Sequence, residues 1–234
     1  MTSSRLPGKI LSDITGELNS IKLLSHRIQN ANMIDRHIYA IPDSSANDSL
    51  ANYLNSMNYD YIRGSESDLI SRYMLAVNDA DIIVRITSDC PLVDPAWIDV
   101  AVSLLKATNA DYVSNYTPAS TSLFCNGSDI EVFKRQTLLE LDKKFLDPTD
   151  REHVTFPLWD GRLDVTHLKM NSLLGDDISD VRITLDYEED LEVLRRLANI
   201  INLKSATLTE IVSAYRKFGM SQLNGRFEYN AGWC

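Results

Sequence analysis

Two aspartates stand at the ends of apolar runs: Asp89 follows residues 81–88 (DIIVRITS), and Asp186 follows residues 181–185 (VRITL). Carboxylates at the C-terminal ends of parallel strands converge on the ligand crevice of an open α/β sheet, where they can hold a divalent cation. Magnesium takes only one or two protein carboxylates and completes its shell with water and phosphate oxygens, so Asp89 and Asp186 are a sufficient set. The alternative is that each aspartate caps the helix after it. A second constellation opens the chain: residues 1–9 (MTSSRLPGK) carry two cations around a Pro-Gly turn, preceded by small hydroxyl residues. Such a loop can wrap a triphosphate, with Arg5 as a planar fork, Lys9 as a point charge, and Ser3 and Ser4 as hydroxyl donors. It lacks the GxxxxGK[ST] pattern, so a solvated basic turn is the competing reading.

Three further segments concentrate ionisable groups. Residues 64–73 (GSESDLISRY) join a turn to a helix and place Arg72 one turn beyond the cap Asp68, to reach a ligand or to pair with Asp68. Residues 127–131 (GSDIE) put Asp129 and Glu131 on one face of a strand, an unusual choice for a core strand. Residues 150–153 (DREH), after Pro148, bring Arg151 and His153 together, at a substrate or at a helix start.

The elements that must position these groups alternate between strand-like and helical, as in a mainly parallel mixed sheet flanked by helices. Helices are expected over 20–31, 47–57, 68–78, 94–107, 134–145, 188–201 and 208–217, with a helical turn region over 151–159. Strands are expected over 36–41, 59–63, 81–86, 111–114, 130–133, 164–168 and 181–185. The run 81–86 is apolar enough to be buried on both faces. Asp94 and Pro95 open their helix as cap and first residue. The polar stretch 115–127 is the longest loop, a length usually functional or mobile. Residues 219–234 show no period.

At 234 residues the chain suits one domain, which buries roughly 70% of its unfolded surface. The division expected is a nucleotide-handling body over 1–200, with 201–234 as a C-terminal helix and tail of the same domain. A net charge of −10 argues against polymeric nucleic acid and anionic membranes as partners. Cys90, Cys125 and Cys234 have no metal-ligand spacing and cannot all pair, which favours a reducing cytoplasm. No apolar run approaches a membrane span.

In order along residues 1–200, the segments at 1–9, 64–73, VRITSDCPLVDP at 84–95, DYVSN at 111–115, GSDIEVF at 127–133, DREHVT at 150–155 and RITLDYEEDLEVL at 182–194 resemble one family. It is the cytidylyltransferase-like proteins typified by spore coat polysaccharide biosynthesis protein F. More distantly the chain resembles the CMP-sugar-acid synthetases for 3-deoxy-manno-octulosonate and neuraminate. The resemblance implies a Rossmann-like nucleotide-diphospho-sugar transferase fold. It also implies transfer of CMP from CTP to a sugar-acid hydroxyl, with Mg2+ as cofactor and release of pyrophosphate. By motif position Arg5 and Lys9 are its triphosphate ligands, Asp89 and Asp186 its metal ligands, and residues 64–73, with Arg72, lie beside the nucleotide. Asp129, Glu131, Arg151 and His153 fall on the sugar side. A homodimer is expected by analogy. The alternatives are a glycosyltransferase of related fold, or an inactive nucleotide-binding relic.

The chain departs from the pattern in three places. The family carries a strand and Gln-Ala-Arg ahead of the position of Met1, and such a strand is expected upstream, since losing it strips two neighbours of their backbone partners. Tyr187-Glu188 stands where Thr-Pro is usual, and Ser128 where an apolar residue is common. Residues 116–126 are altered, which leaves the acceptor open.

Overall fold

Polar caps and apolar stripes divide the chain at nearly the expected places. The computed structural model describes residues 6, 8–77 and 79–227. Ser3, Ser4 and Arg5 of the opening loop lie outside the described residues. In order, the elements are α1 (Ser20–Gln29), β1 (Tyr39–Pro42), α2 (Asp48–Ser56), β2 (Tyr61–Gly64), α3 (Leu69–Val77), β3 (Ile82–Arg85), α4 (Pro95–Thr108) and β4 (Tyr112–Ser114). They continue with β5 (Glu131–Lys134), α5 (Arg135–Lys144), α6 (Pro148–His153), α7 (Phe156–Trp159), β6 (His167–Lys169), α8 (Glu188–Ala198), α9 (Leu208–Lys217) and the short α10 (Ser221–Asn224). The starts of α3 and α4 follow their capping chemistry: Asp68 accepts from Ser71 N at 2.9 Å and Asp94 from Ala96 N at 2.9 Å, with Pro95 leading α4.

The strands form two sheets. β1 and β2 pair in parallel, and a four-stranded sheet runs β3-β5-β4-β6, antiparallel on both sides of β5 and parallel between β4 and β6. The arrangement is the expected mixed one flanked by helices; among the described residues two of the four pairings are parallel and two antiparallel. Alternation along a strand reports which side is buried and is silent on the direction of its neighbour. The largest core cluster gathers residues of α1, α4, α8, α9 and one sheet face, including Leu24, Ala101, Val113, Ile183 and Leu194. A second, on the opposite face, unites Ile70, Phe133, Leu138 and Val154 of α3, β5, α5 and the segment after α6. A third joins α1, β1 and α2 around Ile21, Tyr39 and Leu54. Helices thus cover both faces, as in a Rossmann-like layered fold. No helix among the described residues is long and apolar enough to cross a membrane.

Three expectations change. β3 is only half-buried along its whole length, because one of its edges meets a slot rather than another strand. Residues 181–185 are extended but join the fold by a single bridge, Asn126 to Arg182, with Asn126 O accepting from both Ile183 N and Thr184 N. The long segment 115–127 is packed inward rather than open. The Asn115 amide donates to Ser128 O and accepts from Ile130 N, and Ser122 Oγ donates to Asn115 O, so its polar groups are satisfied internally.

Candidate active site

The two strand-end aspartates meet. Lys9, in a 3₁₀ turn that follows Gly8 in the left-handed region (φ 72°), places Nζ 2.8 Å from Asp186 Oδ1 and 3.4 Å from Asp89 Oδ2. Burial disfavours the ammonium, but the two carboxylates outweigh it and hold the Lys9 pKa above its ordinary value. Burial likewise opposes ionisation of Asp89, and Lys9 together with hydrogen bonds holds its pKa below the usual carboxylate value. Asp89 keeps 31% of its side-chain surface open and Asp186 keeps 16%, so both oxygen pairs border accessible space.

The backbone beneath them is locked. Asp89 O accepts from Leu185 N at 2.8 Å and from Thr184 Oγ1 at 3.2 Å. Asp190, fully buried at the third position of α8, accepts from Asp186 N at 2.9 Å and Tyr187 N at 3.0 Å. Arg182 grips Asp190 with two bonds of 2.9 Å and reaches Asp186 Oδ2 at 3.4 Å. Asn224 of α10 closes this arrangement, donating to Arg182 O at 3.0 Å and Asp190 Oδ1 at 2.8 Å. The start of α8 is thus held by a capping box of Tyr187 and Asp190, which leaves the Asp186 carboxylate to Lys9 and Arg182. The only hint in the sequence was an acidic residue four positions beyond Asp186, the expected cap.

Gly127 brings Asp129 close. At φ +99° it lies against the 183–184 backbone, and a Cβ there would meet Thr184 N at 2.2 Å. Asp129 sits beside Asp89 and Cys90, and its Oδ1 is buried with no hydrogen-bond partner. Burial first, and then the charge of Asp89, push its pKa up to about 7. Asp129 thus lies on the Asp89 side of the site, next to Cys90.

The remaining sequence candidates lie apart from Lys9 and have these partners. Glu131, with 1% of its side chain exposed, pairs with Arg85 and accepts from Tyr112 OH, so its carboxylate is buried among protein partners. Arg151 donates Nε to Asp68 at 2.6 Å, Nη2 to Asp142 at 2.8 Å and Nη1 to Phe145 O at 3.2 Å, tying α3, α5 and α6 together. That leaves its guanidinium engaged with protein partners. His153 stacks on Phe156 with ring centroids 4.3 Å apart. The Arg72 guanidinium donates to Ser65 O at 2.7 Å, while its backbone N–H donates to Asp68 O at 3.1 Å, and Arg72 lines the slot beside β3.

The donor set fits magnesium: two carboxylates already converge on one cationic centre, that of Lys9, and magnesium asks for no more from a protein. Among the described residues, no group of three or more His, Cys, Asp or Glu is arranged as a self-sufficient metal cage. Any cation here would draw its other ligands from water or substrate. A lysine and strand-end carboxylates at one crevice are parts from which phosphoryl-transfer sites are assembled.

Comparison with known proteins agrees. The cytidylyltransferase family model matches residues 1–206, and the chain belongs to that family; it is a nucleotidyltransferase. It is 26% identical over 207 residues to spore coat polysaccharide biosynthesis protein SpsF of Bacillus subtilis, covering 84% of this chain and 82% of that one. A cytidylyltransferase structure from Leptospira borgpetersenii superposes with a TM-score of 0.88 at 25% identity, over 97% of this chain and 95% of the other. A CMP:2-keto-3-deoxy-manno-octonic acid synthetase complexed with CTP shares the fold, with a TM-score of 0.55 at 16% identity over 85% of this chain and 94% of that one.

Proposed function

We propose that this chain transfers CMP from CTP to a hydroxyl of a sugar acid, with Mg2+ as cofactor, in the synthesis of a surface glycan. The observation that carries the reading is the convergence of Lys9, Asp89 and Asp186 after β3 and the extended segment 181–185 of a cytidylyltransferase-family chain. In the reaction the acceptor oxygen bonds to the α-phosphorus, the bond to the bridging oxygen breaks, and pyrophosphate leaves with the electron pair. The hydroxyl proton passes to a base or to water. Lys9 supplies a fixed positive charge where negative charge accumulates, and Asp89 and Asp186 hold that charge in place. Magnesium, held by Asp89 and Asp186, would neutralise phosphate oxygens when bound. The polysaccharide role named for SpsF and the CTP named for the octonic acid synthetase support the substrate assignment. The cytoplasm, where CTP is made, and a homodimer complete the proposal.

The test is thermal unfolding together with product analysis. Magnesium and CTP added together should raise Tm more than either alone, and a sugar acid should then release pyrophosphate. Absence of any shift with CTP, UTP, ATP or GTP would sink the reading. Release of a free nucleoside diphosphate from a nucleotide-sugar would instead make the chain a glycosyltransferase.

A further inference from the structure

The chain beyond residue 206, where the family match ends, reaches back to the candidate site. α10 delivers Asn224, fully buried, against the start of α8. The polar atoms of its side chain are all used. Nδ2 donates to Arg182 O at 3.0 Å and Asp190 Oδ1 at 2.8 Å, and Oδ1 accepts from Tyr215 OH at 2.7 Å. Three residues later Phe227 stacks on Tyr187, with ring centroids 3.9 Å apart and planes 3° from parallel. Arg226 lies 4.9 Å from the Phe227 ring and pairs with Glu189, which pins the stack to α8.

Arg182 packs beside that stack. Its guanidinium carbon lies 5.6 Å from the Tyr187 centroid and 5.5 Å from the Phe227 centroid. Nearly equal distances from two rings so close together place the guanidinium at their shared edge, over the face of neither. The stack is thus an apolar wall, and only 6% of the Arg182 side chain is exposed. The wall bears on a choice between two carboxylates. One nitrogen, Nη2, stands 2.9 Å from Asp190 Oδ2 and 3.4 Å from Asp186 Oδ2. A small rotation would bring it fully onto Asp186, where its positive charge would oppose a cation. With Asp190 the guanidinium makes two charge-assisted bonds, which a dry surrounding strengthens.

We propose that Phe227, Tyr187 and Asn224 are positioning residues: they keep Arg182 on Asp190 and so prevent it from competing with a divalent cation for Asp186. The inference rests on the proposed magnesium site at Asp89 and Asp186, and adds that the C-terminal segment sets its affinity. Without the stack, water reaches the guanidinium, the pair with Asp190 weakens, and Arg182 shifts to Asp186 as a rival charge. Groups that orient a metal ligand carry effects of about 10–100-fold on metal affinity.

The experiment compares the full chain with its Phe227→Ala, Phe227→Leu and Asn224→Ala variants. Magnesium is titrated by calorimetry in the presence of CTP and without acceptor, so that no turnover is needed. The magnesium Kd should rise about 10-fold in Phe227→Ala and stay within about threefold of the parent in Phe227→Leu, which keeps an apolar wall. Asn224→Ala should follow Phe227→Ala; if it unfolds, the two Phe227 variants decide. With acceptor present, Phe227→Ala should raise the KM for magnesium while kcat at saturating magnesium holds within about threefold. In the metal-free chain, the Arg182 Nε–H should exchange with water faster in Phe227→Ala than in the parent. A parent that binds no magnesium with CTP sinks the cytidylyl-transfer reading and this inference with it. A parent that binds, with the Kd unaltered in Phe227→Ala, sinks this inference alone. So does a Kd that rises equally in Phe227→Leu, or a fall in kcat without a change in KM.

Discussion

The Lys9 ammonium lies 2.8 Å from Asp186 Oδ1, joining residues 177 positions apart, and the same nitrogen reaches Asp89 at 3.4 Å. Replacing it with methionine keeps the length of the side chain and leaves two carboxylates facing each other unneutralised. Lys9→Met should lower pyrophosphate release from CTP by about 10²–10³-fold, the loss typical of one preorganised charge. A rate within threefold of the parent would show that Lys9 does not act in turnover. Asp89→Asn should abolish the joint stabilisation by magnesium and CTP while the circular dichroism spectrum is kept.

Glu131 and Arg85 form a buried pair that anchors β5 to β3. Glu131→Gln leaves the guanidinium uncompensated and should cost about 3–5 kcal/mol in urea unfolding. Replacing both residues together, Arg85→Met with Glu131→Leu, should recover most of that loss. If Glu131→Gln alone is neutral, the pair does not hold the sheet.

His167 tests the pH dependence of stability. Burial, aided by the nearby Lys169, lowers its pKa from 6.5 to about 4, and its Nε2 lies 2.8 Å from Ser114 Oγ. A folded-state pKa below the unfolded value means that the unfolded chain takes up the proton first. Its contribution is therefore complete above pH 6.5 and is lost as pH falls toward 4. His167→Gln should flatten the Tm profile in that window relative to the parent and leave it parallel above pH 7. Parallel profiles throughout would place His167 in contact with solvent.

Gly127 gives the sharpest backbone test. Its φ of +99° and the 2.2 Å approach of a would-be Cβ to Thr184 N leave no room for alanine. Gly127→Ala should cost about 1–3 kcal/mol and, by pushing the 183–184 segment away, weaken magnesium and CTP binding as well. Loss of stability with unaltered ligand affinity would uncouple this contact from the site.

Much of this arrangement was legible in the residues. Asp89 and Asp186 announce themselves by ending apolar runs, and Asp94-Pro95 marks the helix that follows it. What holds Asp186 was not legible, because Arg182, Asp190 and Asn224 come together only in three dimensions, with Asn224 lying 42 and 34 positions from its partners. The partners of Glu131 were hidden for a related reason: an acid on a strand shows nothing of Arg85 and Tyr112, which arrive from other elements. The buried segment 115–127 looked open because its composition is polar, and composition does not reveal that its amides and hydroxyls bond one another. In each case local pattern located the chemistry, while long-range pairing decided its use.

The carbonyl of Asp89 accepts from both Leu185 N and Thr184 Oγ1, which welds the main chains leading to the two carboxylates into one fixture. The two carboxylates are therefore carried on one rigid base. The proposed cation would meet them with only their side-chain torsions free to adjust, which favours the ion whose oxygen distance, about 2.0–2.1 Å or about 2.3–2.6 Å, matches the spacing that base sets.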